Sequence, residues 1–246
     1  MRFAIVLLTL AAVLTACSDS TPTETPTDPL ALVADAAAKI RELDTFQLTV
    51  IQDGPDYYLY TAYATAVFRQ ATGQYVAPSV IQASVRVLAL GLPVEVDVYA
   101  DGDDQWYRAI WTGNNWINEP FQESFNAETL IAEETGFKAA LESLIDLEYI
   151  GTVTLESGVS AHRMDATADG PDVAALLGNL IEPVGTVEVE AYVAVDSGLP
   201  VRFVIREFDS PYTATPMPGT QAEPVIWTID LYDFNGEPQT DPPEGL

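Results

Sequence analysis

The chain predicts an α+β fold: one curved antiparallel sheet of about eleven strands with a few helices on its concave face. Three observations lead there. After an opening helix, strand-like runs of period two fill most of the 246 residues. Strands and helices do not alternate as βαβ units, so the strands are expected to run antiparallel. A strongly twisted sheet of this many strands curls, and the hollow side needs cover.

Asp28-Pro29 opens the helix, an N-cap followed by proline at the first helical position. Leu30, Val33, Ala37, Ile40 and Leu43 recur at helical spacing, so the helix is expected to end near Asp44. From Phe46 the period becomes two, with Phe46, Leu48 and Val50 alternating with Gln47 and Thr49. YYLYTAYATAVFRQ, VIQASVRVLAL and PVEVDVYA are strand-like in length and β-branched content. DGDD at 101–104 is a turn from which QWYRAIW pairs back. LEYIGTVTLES and VSAHRMDAT flank a turn at Ser157-Gly158. GTVEVEAYVAV, the turn DSGLP, VRFVIREF and PVIWTIDLYDF complete the strands, with a polar proline-rich loop before the last. Two helical stretches interrupt the middle. AETLIAEETGFKAALESLI places Leu130, Ile131, Phe137, Leu141, Leu144 and Ile145 on one side, with a bend at Gly136; PDVAALLGNLI is short.

The start of the chain has its own logic. Arg2 precedes an apolar run from Phe3 to Leu14, too short to span a bilayer and of the length of a signal-peptide core. Leu14-Thr15-Ala16-Cys17 then resembles a bacterial lipobox, where small residues admit the peptidase and the thiol takes a diacylglycerol. The competing reading is an ordinary signal peptide with an incidental cysteine. Cys17 is the only cysteine, so no internal disulfide is available. The expected organisation is a signal peptide over 1–16, an acylated cysteine and Thr/Pro-rich tether over 17–28, a domain over 29–236 and a flexible tail over 237–246.

Aspartate and glutamate number 37 against 10 lysines and arginines, a formal net charge of −27. That argues against nucleic acid, whose phosphates need clustered cations, and against electrostatic adhesion to anionic lipid. Holding a membrane then falls to the acyl anchor. A hydrophobic content of 48% argues against a disordered acidic tail. Within strands, Val187, Val189, Ala191, Val193 and Val195 oppose Glu188 and Glu190, and Val94, Val96 and Val98 oppose Glu95 and Asp97. One face is uniformly aliphatic and the other acidic. Such alternation fits a packed core as well as a hollow one.

The helix DPLALVADAAAKIRELDTFQLTV, the hairpin VEVDVYADGDDQWYRAIWTGNNW, the block GFKAALESLIDLEYIGTVTLESGVSAHRMDATADG and the segment VEVEAYVAVDSGLPVRFVIRE together resemble the LppX/LprG family of lipid-carrier lipoproteins, related in fold to the LolA/LolB carriers. The resemblance runs nearly end to end after the tether and rests on order, spacing and turn chemistry. It implies an unclosed half-barrel with helices on its concave side around an apolar cavity. It implies a non-enzymatic, monomeric lipoprotein, anchored on the extracytoplasmic side of a cell membrane. Such a protein binds acyl chains, such as palmitate, of lipids or glycolipids. It carries them across or out of the envelope, in periplasmic exchange with a transporter or acceptor lipoprotein. No cofactor and no metal are expected. The expected liners are Leu48, Val50, Val85, Val87, Val94, Val96, Val98, Val189, Val193, Phe203, Ile205, Trp227 and Ile229, with Leu141, Leu144 and Ile145 from the helix side. The YYLYTAY stretch and the loop at 209–224 depart from the family and bear on the cavity mouth. The alternative is an envelope sensor or assembly factor that binds a protein partner.

Catalytic readings find little to stand on. His162 lies in GVSAH near Ser160, without the Gly-x-Ser-x-Gly elbow of a hydrolase. DGDD lacks the further oxygens of a calcium loop. No two carboxylates stand out as a glycosidase pair. Trp106, Trp111 and Trp116 around a Gly-Asn turn fit hairpin packing better than sugar stacking.

Overall fold

A computed structural model of the protein describes residues 28–60, 65–121, 125–132, 134–214 and 223–243. The expected signal peptide, lipobox and tether at 1–27, and residues 215–222 of the proline-rich loop, lie outside the described residues.

Helix α1 (Pro29–Ile40) starts where its sequence signals place it: the Asp28 carboxylate accepts the Leu30 N–H at 3.0 Å. It ends before the expected Asp44, and buries Val33, Ala36, Ala37 and Ile40. Near its C-terminus Lys39 pairs with Asp35 at 2.7 Å and donates to the Ser197 carbonyl at 2.9 Å, tying the helix to the turn of a distant hairpin.

Among the described residues the sheet has twelve strands. They are β1 (Thr45–Asp53), β2 (Tyr58–Tyr60), β3 (Thr65–Val76), β4 (Val80–Ala89), β5 (Leu92–Asp101), β6 (Asp104–Ala109), β7 (Ile117–Asn118), β8 (Ile145–Thr154), β9 (Ser160–Asp169), β10 (Thr186–Ala194), β11 (Pro200–Glu207) and β12 (Val225–Tyr232). The run read as one strand from Tyr57 is two pieces, β2 and β3. The spatial order is β7-β6-β5-β4-β3-β1-β12-β11-β10-β9-β8, with β2 on β3 and every pairing antiparallel. First and last strands meet in the middle, where Leu48 faces Leu231 and Val50 faces Ile229. The two arms end at β7 and β8, and the sheet stays open.

The middle helical stretch is shorter than expected. It consists of a 3-10 turn, Ala127–Leu130, and the short helix α2 (Phe137–Glu142). Ile145 therefore leaves the helix and begins β8. PDVAALLGNLI forms the 3-10 turn Gly170–Leu177. Helix α1 packs against α2, β8, β10 and β11, and α2 packs against the Gly170–Leu177 turn. Helices α1 and α2 thus cover the β8–β12 half of the concave face, while the Ala127–Leu130 turn lies against β4 on the other arm.

The outer face carries the charge. Arg202 clasps Asp230 at 2.6 and 3.1 Å from the neighbouring strand and also reaches Glu156 at 2.8 Å. Glu190 is held by Arg206 at 2.6 Å, Arg163 at 3.3 Å and the Tyr192 hydroxyl. Burial alone would raise its carboxyl pKa, but these partners hold it below the usual value. Past β12 the chain crosses this face: the Gln239 N–H donates to Gln74 and the Asp241 N–H to Gln82, both at 2.6 Å.

Candidate functional site: the concave apolar face

The pleat sends alternate residues to the hollow side, and register aligns them across strands. Phe203 faces Ile229, Ile205 faces Trp227, and Val189 faces Ile205. On the other arm Val87 faces Val94 and Val85 faces Val96. One continuous aliphatic floor results from these local alternations.

Its two halves differ. Leu48, Val50, Val189, Val193, Phe203, Ile205, Trp227 and Ile229 are buried, roofed by α1, α2 and the Gly170–Leu177 turn. Leu141 and Leu144 are buried within that roof. Aromatic rings lock the centre. Phe46 stacks on Tyr75 at 5.1 Å and meets Phe137 edge-on at 5.8 Å, while Tyr57 and Phe68 pack on Trp227 at 4.9 and 5.5 Å. On the β4–β5 arm Val87 and Val98 are buried, but Val85, Val94 and Val96 are only half-buried. These three form the least covered strip of the floor. Ile145, at the start of β8, is 56% exposed.

A cleft of about 310 Å³ opens beside this strip, between β5 and the 110–114 turn. Val94, Glu95, Asp97, Arg108, Ile110 and Asn114 are among its walls. Val94 is the one expected liner that borders it. Arg108 is held by Asp97 at 2.8 Å and lies 4.5 Å from the Trp116 ring centre.

One polar group on the floor escaped the sequence reading. Glu207 shares the face of Phe203 and Ile205 and has no solvent exposure. The Val184 N–H donates to its Oε1 at 3.1 Å, and the Ser210 hydroxyl also supports the carboxyl. Its Oε2 makes no full hydrogen bond among the described residues, while the neighbouring Trp227 indole N–H favours the charged carboxyl. Desolvation raises the Glu207 pKa above the ordinary carboxylate value, with those hydrogen bonds opposing. Burial, and then the charge of Glu207, raises the Tyr57 phenol. The signal was present in sequence: alternation in VRFVIRE puts Phe203, Ile205 and Glu207 on one face.

The residues weighed for catalysis have structural surroundings. His162 Nδ1 lies 3.0 Å from the Tyr149 hydroxyl and 3.4 Å from Thr152 Oγ1. In the DGDD turn, Asp101 accepts from the Ser79 hydroxyl and Asp103 from Asn126. No group of three or more His, Cys, Asp or Glu residues is arranged for a metal among the described residues. Trp106 and Trp116 pack edge-on against Tyr99 at 5.7 and 6.3 Å, whereas Trp111 is exposed. No helix among the described residues is long and apolar enough to cross a membrane.

No family model matches the sequence, and no curated protein matches it. Solved structures do. The Mycobacterium tuberculosis lipoprotein LppX superposes with a TM-score of 0.56 at 16% identity, over 87% of this chain and 100% of that one. LprF from Mycobacterium bovis superposes with a TM-score of 0.60 at 11% identity, over 88% of this chain and 97% of that one. The fold of this chain is that of LppX and LprF.

Proposed function

We propose that this LppX-like fold belongs to a membrane-anchored extracytoplasmic lipoprotein that binds acyl chains of lipids or glycolipids on its concave face and carries them across or out of the envelope. The agreement of nearly the whole chain with LppX and LprF carries the reading. The lipobox-like Leu14-Thr15-Ala16-Cys17 supports the anchor.

The energetics suit carriage. A tail of sixteen carbons gains roughly 12 kcal/mol on leaving water, at ~0.8 kcal/mol per methylene. A bilayer offers nearly the same. The protein therefore needs no reacting group, only an apolar surface close to iso-energetic with the membrane. The half-covered Val85, Val94 and Val96 strip is the place of entry. Farther advance requires the α1–α2 roof to move, and α2 is a short helix with little of its own to hold it.

Native extraction followed by lipid mass spectrometry tests this. The expected result is acyl lipid co-purifying with the protein, and loss of that lipid in Val96→Asp. A protein recovered free of lipid, with a protein partner instead, overturns it.

A further inference from the structure

Five of the largest exposed apolar side chains lie at one end of the sheet. They are Tyr60, Leu90, Leu92, Ile110 and Trp111, each more than half exposed. Register brings them there. Tyr60 pairs with Thr65 at the start of β3, Ala66 pairs with Ala89 at the end of β4, and Ala89 pairs with Leu92 across the turn. Ile110 and Trp111 follow the last residue of β6, which pairs with Val96 on β5.

Two independent features single this rim out. First, residues 57–60, 65–68, 87–94 and 109–118 contain no charged side chain, in a chain of net charge −27. Second, Leu90 is 93% exposed and has φ +53°. A left-handed backbone costs a branched side chain roughly 1–2 kcal/mol, and glycine or asparagine takes it more readily. Leucine there gains nothing from the protein's own core.

From these observations we infer that the rim docks on a lipid bilayer, dipping Leu90, Leu92 and Ile110 among the acyl chains with Tyr60 and Trp111 at the headgroup level. The inference rests on the proposed role as an anchored lipid carrier. A charge-free tip is what an acidic protein needs to approach an anionic membrane, and the carboxylates nearest it, Glu95 and Asp97 beside Ile110, are paired with Arg86 at 3.3 Å and Arg108 at 2.8 Å. Aromatic rings favour the membrane–water boundary. The stretch from Ser18 to Thr27, at ~3.1 Å per residue if extended, holds the domain within about 30 Å of the bilayer. The rim is also continuous with the half-covered Val94 and Val96 strip, so docking opens a path between membrane and floor without crossing water.

The full-length chain, reconstituted with phosphatidylethanolamine–phosphatidylglycerol vesicles containing acyl-brominated phospholipid, reads this directly. Tryptophan emission is expected to shift to the blue and be quenched by the bromines, and Trp111→Phe removes that quenched component. The pair Leu90→Asn and Ile110→Ser weakens quenching severalfold while leaving circular dichroism unchanged. Trp111 that stays open to aqueous iodide and untouched by bromine overturns the inference, as does a rim that cross-links to a protein instead. Lipid mass spectrometry on the same samples separates the two claims. Variants that keep their lipid but lose quenching support the rim. Absence of lipid in the unaltered protein counts against carriage, and the quenching still judges docking.

Discussion

At the scale of single residues, Glu207 is the sharpest departure from an apolar floor. Its ionised form is disfavoured by burial, so the folded state binds its proton more tightly than the unfolded chain does. For an acid with a raised pKa, the folded state gains relative stability below the ordinary carboxylate pKa and loses it as pH rises through the folded value. Glu207→Gln keeps the shape and removes the charge. The variant is expected to unfold at a higher denaturant concentration than the parent at pH 7, with the difference shrinking towards pH 4. Urea titrations across that range check it; an unchanged difference at both ends contradicts the burial argument. In sequence, alternation placed Glu207 on the inner face. Its sealed setting brings in Ser210 and Val184, which local patterning does not join.

At the scale of elements, Gly73 shows why β3 and β4 approach so closely. A Cβ at Gly73 would come within 2.7 Å of both Ala83 Cβ and the Gln82 carbonyl oxygen. The obstruction includes backbone, so a side chain can fit only if the strands part. Gly73→Ala is therefore expected to destabilise by about 1–3 kcal/mol, the usual cost of overpacking, measured by thermal unfolding. Elements were largely legible in the chain. The Asp28-Pro29 start was readable because a cap is a contact between near neighbours. The end of α2 at Glu142 was not. Leu144 and Ile145 continue the apolar spacing, yet Ile145 is drawn into the ladder opposite Thr167. Tertiary pairing overrides helical periodicity there.

At the scale of the whole molecule, an unclosed sheet with both helices over one arm makes the floor unequal. An acyl guest that binds only the folded protein stabilises it by mass action, about 2.7 kcal/mol when free ligand stands at a hundred times its Kd. Loaded protein is thus expected to melt roughly 5–10 °C above the delipidated form. Scanning calorimetry on both forms checks this, and equal melting temperatures speak against a guest of that affinity.

Antiparallel strands, the aliphatic inner face and the acidic outer one were all readable from the linear chain, because period-two alternation and turn chemistry act between close neighbours. The meeting of β1 with β12, the half-covered valines, the sealed carboxyl of Glu207 and the uncharged rim were not. Each arises from residues far apart in the chain, brought together by a register that only the assembled sheet establishes.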